Sequence, residues 1–111
     1  MIESLIGDKT IEEVTKKYPN TMKEMQNLIE YNLKIFAGKQ LDYGPNNISM
    51  NGNDRLALLG IAIRGNDKIQ RILNLLSEGR EPKNESLEDS FLDLANYCLM
   101  ACIVNRGKWG K

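Results

Sequence analysis

The sequence contains no histidine. That absence removes the side chain best suited to general base work near neutral pH, and with it every Ser–His or Cys–His nucleophile pair. Zinc is also hard to hold, because Cys98 and Cys102 are the chain's two cysteines and a structural zinc site needs four ligands. The two thiols stand one helical turn apart within an apolar pattern, which predicts small buried side chains. Neither sign of charge is in excess: 15 basic and 15 acidic residues give a formal net charge of zero. A neutral chain argues against bulk binding to nucleic acid or to an anionic membrane, while leaving room for a local basic patch. No apolar run approaches the ~20 residues of a membrane span. The opening MIESLIGDK is acidic and short of apolar length, so no signal peptide is expected and the chain reads as cytoplasmic. Strict alternation, internal repeats and low-complexity stretches are also missing, which predicts little or no sheet.

What remains is a chain of 111 residues, 41% apolar and 27% charged. That is the size and composition of one globular domain, spanning 1–111. Its apolar residues recur with helical spacing. The expected fold is all-α: a small bundle of three principal helices near 22–40, 55–77 and 86–106, with a shorter helix near 11–17 after a loose lead-in. Thr10 with Glu13, and Thr21 with Glu24, have the spacing of capping boxes. Pro19 ends the short helix. Residues 41–53, LDYGPNNISMNGN, read as a loop, since Gly, Pro and Asn crowd it. Asn53 or Asp54 caps the third helix, whose buried side is expected to carry Leu58, Leu59, Ile61, Ala62, Ile69, Ile72, Leu73 and Leu76. Gly60 and Gly65 each cost that helix ~1 kcal/mol relative to Ala, which points to a close approach, a kink or a ligand. Gly79 stops it. Asn84 or Ser86 caps the fourth helix, Gly107 ends it, and Trp109 falls in a short tail.

Three groups of residues could carry chemistry. Arg64, Asp67, Lys68 and Arg71 share one face of the third helix by their i, i+3, i+4, i+7 spacing. Three cations around one carboxylate suit a phosphate-rich ligand, and equally suit a solvated helix face with internal ion pairs. Glu85, Asp89 and Asp93 follow at i+4 steps on the fourth helix, with Asn96 on the same side. Like charges so spaced repel and slightly destabilise a helix, so the row either faces water or is offset by a cation. Mg2+ bridging to substrate phosphates is one candidate, and the basic stripe of the neighbouring antiparallel helix is the other. Leu87, Phe91, Leu94, Cys98 and Cys102 are expected to face the core, while Met100 and Val104 extend the acidic side into apolar surroundings. The acids would then sit at the mouth of a cleft. Lys39, Asp42, Tyr43 and Asn47 form the third group. A tyrosine flanked by amides can stack on a base and bond its edge, or simply tuck a turn onto the core.

Taken in order, K-x-x-DYG-x-x-N (39–47), NDK-x-x-R-x-x-x-L (66–75) and NESLED-x-x-x-DLANY (84–97) resemble the phage-associated family called nucleotide modification associated domain 1, a domain of unknown function. The resemblance covers about residues 31–106 and implies a mostly helical, nucleotide-linked domain, in the host cytoplasm if phage-encoded. The acidic fourth helix is also similar to the second acidic helix of the MazG-type all-α nucleotide pyrophosphohydrolases. Those enzymes hold magnesium on carboxylates of two helices and cut between the α and β phosphates. Their first acidic helix carries Glu-Glu-x-x-Glu. Here the corresponding helices offer only Glu24 and Glu30, or Asp67, and Glu12-Glu13 is followed by Lys16.

Three readings follow. In the first, the protein is a Mg2+-dependent nucleotide hydrolase. Asp67, Asp89 and Asp93 are then catalytic, and Glu85, Asp89 and Asp93 hold the metal. Lys39, Asp42, Tyr43, Asn47, Arg64, Lys68, Arg71 and Asn96 bind the nucleotide. In the second, the same cations and aromatic capture a nucleotide, such as a host defence signal, without turnover. In the third, a helical interaction protein has a basic–acidic seam and no ligand. The partner is then a nucleotide or another phosphorylated small molecule in the first two readings, with a homo-oligomer expected, since a second copy could complete a site.

Overall fold

The structure, a computed structural model, describes the backbone of residues 2–111 and the side chains of residues 7–49 and 51–111. The described residues form α1 (Ile2–Lys17), α2 (Pro19–Tyr43), α3 (Asn46–Ser49), a 3-10 turn (Met50–Gly52), α4 (Asp54–Glu78) and α5 (Leu87–Asn105), and none forms a strand. The all-α reading therefore holds. The chain divides into two compact units, Met1–Ile35 and Phe36–Lys111, and α2 passes through both.

The helix ends differ from expectation where proline and glycine were read as boundaries. The lead-in is helical from Ile2, so Thr10 and Glu13 lie inside α1 rather than at its cap. Between Ile2 and Thr10 the weakest helix former is Gly7, and one glycine does not break a helix. Pro19 separates α1 from α2 but also opens α2, because its fixed φ and missing N–H suit the first helical position. Thr21 and Glu24 thus fall inside α2. The expected loop at 41–53 is largely helical. α2 continues to Tyr43 and stops at Gly44. Gly44 has a φ of 68°, which gives the left-handed exit, and its N–H bonds the Gln40 carbonyl at 2.8 Å. Two short helical turns then fill Asn46–Gly52.

In the first unit, α1 and the N-terminal part of α2 leave Ile11, Met25, Leu28, Ile29 and Leu33 exposed. The second unit holds a core of Ile48, Ala57, Ile61, Val104 and Trp109. Trp109 is not a free tail. Its ring meets Phe36 edge to face at 5.9 Å, and its Nε1 donates to the Pro45 carbonyl at 3.0 Å. A chain end thereby fixes the turn that leads into α3.

α4 and α5 run antiparallel: Gly65 faces Leu94, Lys68 meets Asp93, and Arg71 meets Ser90. Their caps are those read from the sequence. The Asn53 side chain accepts from the Leu56 N–H, Gly79 takes the left-handed conformation, and Ser86 Oγ accepts from the Asp89 N–H at 3.0 Å.

The buried faces are rotated from those expected. On α4 the buried residues are Ala57, Ile61, Gly65, Ile72 and Leu75, while Leu59, Ile69, Leu73 and Leu76 are exposed. On α5, Ser90 and Val104 are buried and Leu94, Tyr97 and Ala101 half-buried, a 4–3–4–3 spacing that makes one seam. Phe91, Cys98 and Cys102 are exposed, so the thiols are not core residues. The physical reason lies across the seam. Ser90 counts as core because Arg71 bonds its hydroxyl, and a hydropathy pattern cannot register a serine so satisfied. Gly65 does serve a close approach, since an added Cβ would stand 3.4 Å from Leu94 Cδ1, whereas Gly60 has open space around it.

Candidate functional site

The α2 end, α3, α4 and α5 enclose a cavity of about 390 Å³ that lies wholly within the second unit. α2 contributes Phe36, Lys39, Gln40 and Tyr43 at helical spacing. α3 contributes Asn47 and Ile48, α4 contributes Arg64, and α5 contributes Asp93, Asn96, Tyr97 and Met100. Each wall has a local cause. The Trp109–Pro45 hydrogen bond sets the turn that brings Asn47 in, and the Asn47 carbonyl accepts from Arg64 Nη2 at 3.3 Å, tying α3 to α4. Tyr97 and Met100 pack on the core behind the polar rim.

One wall is continuous with a charged cluster in the α4–α5 seam. The Lys68 ammonium stands between Asp93 (Nζ to Oδ2, 2.9 Å) and Glu85 (3.1 Å to each oxygen), with all three side chains less than a third exposed. Burial pushes the Lys68 pKa down, but the hydrogen bonds and charges of Asp93 and Glu85 outweigh it and hold the ammonium above its ordinary value. The Lys39 ammonium lies 3.9 Å from Asp93 Oδ1 at the more open side. One turn further along the seam, Arg71 donates to Ser90 Oγ at 2.5 Å and to the carbonyls of Ser86 and Glu85, and Ser90 in turn donates to the Glu85 carboxylate. The basic stripe of α4 is therefore not a solvated face: Lys68 and Arg71 point into the seam and Arg64 into the cavity.

Of the residues selected from the sequence, Lys39, Tyr43, Asn47, Arg64, Asp93 and Asn96 line this cavity. Lys68 and Glu85 sit behind it, joined to Asp93. Arg71 does not line it. Asp42, Asp67 and Asp89 are exposed and outside its lining. Asp89 instead occupies the first turn of α5, where a carboxylate complements the helix dipole. Among the described residues no group of three or more carboxylates or thiols is placed to hold a metal ion, so Glu85, Asp89 and Asp93 do not form a three-carboxylate set. Sequence reasoning missed Phe36, Gln40, Ile48 and Tyr97 as cavity residues. The signal was present for Phe36 and Gln40, which share the Lys39–Tyr43 side of α2 by i+3 and i+4 steps.

A second groove, of about 410 Å³, is lined by Ile61, Ala62, Gly65, Leu94, Cys98 and Ala101 among others, and no charged side chain lines it. No helix among the described residues is long and apolar enough to cross a membrane.

No curated protein and no solved structure matches the chain. A family model does match. It covers residues 61–104, from the middle of α4 to the last turn of α5, and leaves Lys39, Tyr43 and Asn47 outside. The α4–α5 hairpin that carries Arg64, Lys68, Arg71, Glu85, Asp93 and Asn96 is thus the part of this chain that matches the family described as nucleotide modification associated domain 1.

Proposed function

We propose that the cavity binds a phosphorylated nucleotide without itself hydrolysing it. The carrying observation is that one cavity gathers two cations, Lys39 and Arg64, with the ring of Tyr43 and the amides of Asn47 and Asn96. Arg64 and Lys39 take phosphate oxygens, the guanidinium as a planar fork and the ammonium as a point charge. Tyr43 offers a face for a base, and the amides offer both donors and acceptors to its edge or to the sugar. The description of the matched family supports the same ligand class.

Magnesium-dependent hydrolysis fits the donor set poorly. Glu85 and Asp93 already share the Lys68 ammonium, and Asp67 and Asp89 stand outside the cavity lining. The counter-charge of Glu85 and Asp93 is a lysine, as expected of an ion-paired seam, and no catalytic step is assigned to any of the four. The same reading puts the protein in the cytoplasm, where nucleotides are found. It also keeps self-association as a proposal, supported by the exposed Leu59, Ile63, Leu73, Leu76 and Leu99.

The test is thermal unfolding against a nucleotide panel in magnesium and in chelator. A ligand bound only by the folded state raises the melting temperature by mass action. Binding is expected in both buffers, to be weakened in Arg64→Ala and retained in Asp67→Asn. Release of product from any bound nucleotide would refute the non-catalytic reading, and a panel with no shift at all would refute nucleotide binding.

A further inference from the structure

Resting on that reading, we infer that the site reads a single phosphate group: its ligand class is the nucleoside monophosphate. The first support is size. The cavity measures about 390 Å³. Small-molecule sites begin at roughly 300 Å³ and run to several times that, so this one is near the small end. It has room for one base, one sugar and one phosphate.

The second support is the disposition of charge. Lys39 and Arg64 are the cations in the cavity lining. The next cation on α4, Lys68, is held by Glu85 and Asp93, and the one after it, Arg71, is bound to Ser90, Ser86 and Glu85. Neither is available to a second or third phosphate. One carboxylate, Asp93, also lines the cavity and repels any phosphate moved toward it. Two cations and the Asp93 carboxylate, 3.9 Å from Lys39, leave the lining with one net positive charge, enough to favour one phosphate group and with no surplus for more. A diphosphate or triphosphate would leave its added groups in solvent or against Asp93, so chain length beyond the first phosphate adds no affinity. The Asp93 side chain is instead suited to accept from a neutral donor, such as a sugar hydroxyl, which further orients the ligand with its phosphate away from that residue.

Calorimetric titration of the full chain tests this with four series, one per common base. Each runs from nucleoside through 5′-mono-, di- and triphosphate, in magnesium and in chelator. The expected result is a rise of roughly tenfold or more in affinity from nucleoside to monophosphate for at least one base, about 1.4 kcal/mol. No further rise to di- or triphosphate is expected, and no dependence on magnesium. Lys39→Gln and Arg64→Ala should each erase the step while leaving nucleoside binding in place. Lys39 is the safer variant, since its side chain is 59% exposed. An affinity that climbs with each added phosphate overturns the single-phosphate inference and leaves nucleotide binding standing. A nucleoside that binds as tightly as its monophosphate, or a step that survives both variants, also overturns it. If no member of any series binds, the inference and the reading beneath it fall together.

Discussion

Arg64 and Arg71 stand two turns apart on the same face of α4, yet the seam treats them differently. Arg71 donates to Ser90 Oγ and to the carbonyls of Glu85 and Ser86, so it ties α4 to the start of α5 and to the residues just before it. Ser90 is fully buried, and the arginine satisfies its hydroxyl. Arg64 bonds the Asn47 carbonyl and otherwise lines the cavity. The difference comes from what α5 and α3 place opposite each one. Opposite Arg71 are the Ser90 hydroxyl and the carbonyls of Glu85 and Ser86 at the entry to α5, which consume its donors. Near Arg64 are Asn96, Tyr97 and Asn47, which leave an opening. Lys68, between the two, is spent on carboxylates. One helix face therefore passes from seam to cavity over two turns.

The sharpest way to break this comparison is to truncate both arginines. Arg71→Ala removes three hydrogen bonds across the α4–α5 seam, one of them to the fully buried Ser90, and is expected to cost about 3 kcal/mol of stability in denaturant unfolding. Arg64→Ala removes one long hydrogen bond, to the Asn47 carbonyl, and should cost about 1 kcal/mol or less while weakening the ligand response. Equal destabilisation by the two would erase the distinction.

The next effect in size belongs to Lys68. Replacing it with methionine keeps the apolar stem and strands Glu85 against Asp93, at a cost of about 2 kcal/mol for a partly buried network. Asp93→Asn in the same chain should recover part of that loss, because the removed charge no longer faces Glu85. A double-mutant cycle measures the coupling, and losses that simply add would show that the three charges act independently.

How far the sequence carried these conclusions depends on what kind of signal each residue gave. The all-α class, the α4 and α5 caps and the pairing of the two helices were legible, because Asn53, Ser86 and Gly79 act locally. The co-location of Lys39, Tyr43, Arg64 and Asp93 was legible only as three separate stripes; their meeting depends on Trp109 bonding Pro45, a contact across 64 residues. The core face of α5 was misread because Phe91 and Cys98 look more apolar than Ser90 and Ala101. Burial there is decided by the close packing of α4 and by the donor Arg71 supplies. The carboxylate row stays open in the sequence between a metal set and an ion-paired seam for a related reason. The i+4 steps align Glu85, Asp89 and Asp93 along the chain, but Glu85 precedes the Ser86 cap and lies outside α5, and only the neighbouring helix determines that Glu85 and Asp93 receive a lysine while Asp89 remains at the helix start.

The smallest expected effect is a pH dependence carried by Lys68 alone. Burial favours its neutral form, but Asp93 and Glu85 hold its pKa above the ordinary lysine value of 10.5. A pKa raised in the folded state means that the folded protein binds the proton more tightly than the unfolded chain does. That stabilisation is fully present below the unfolded value and is lost as pH rises through the higher folded one. Other lysines and the tyrosines titrate in the same range, so the stability of the parent alone would not isolate Lys68. The informative quantity is the gap between the parent and Lys68→Met, followed by denaturant unfolding from about pH 9 to about pH 12. The gap should be constant at the lower end and narrow as pH passes upward beyond the ordinary lysine range, because the neutral amine no longer draws Asp93 and Glu85 together. A gap unchanged across that window would mean that what Lys68→Met removes is not the charge of the ammonium, and that this charge contributes nothing to holding the cavity wall in place.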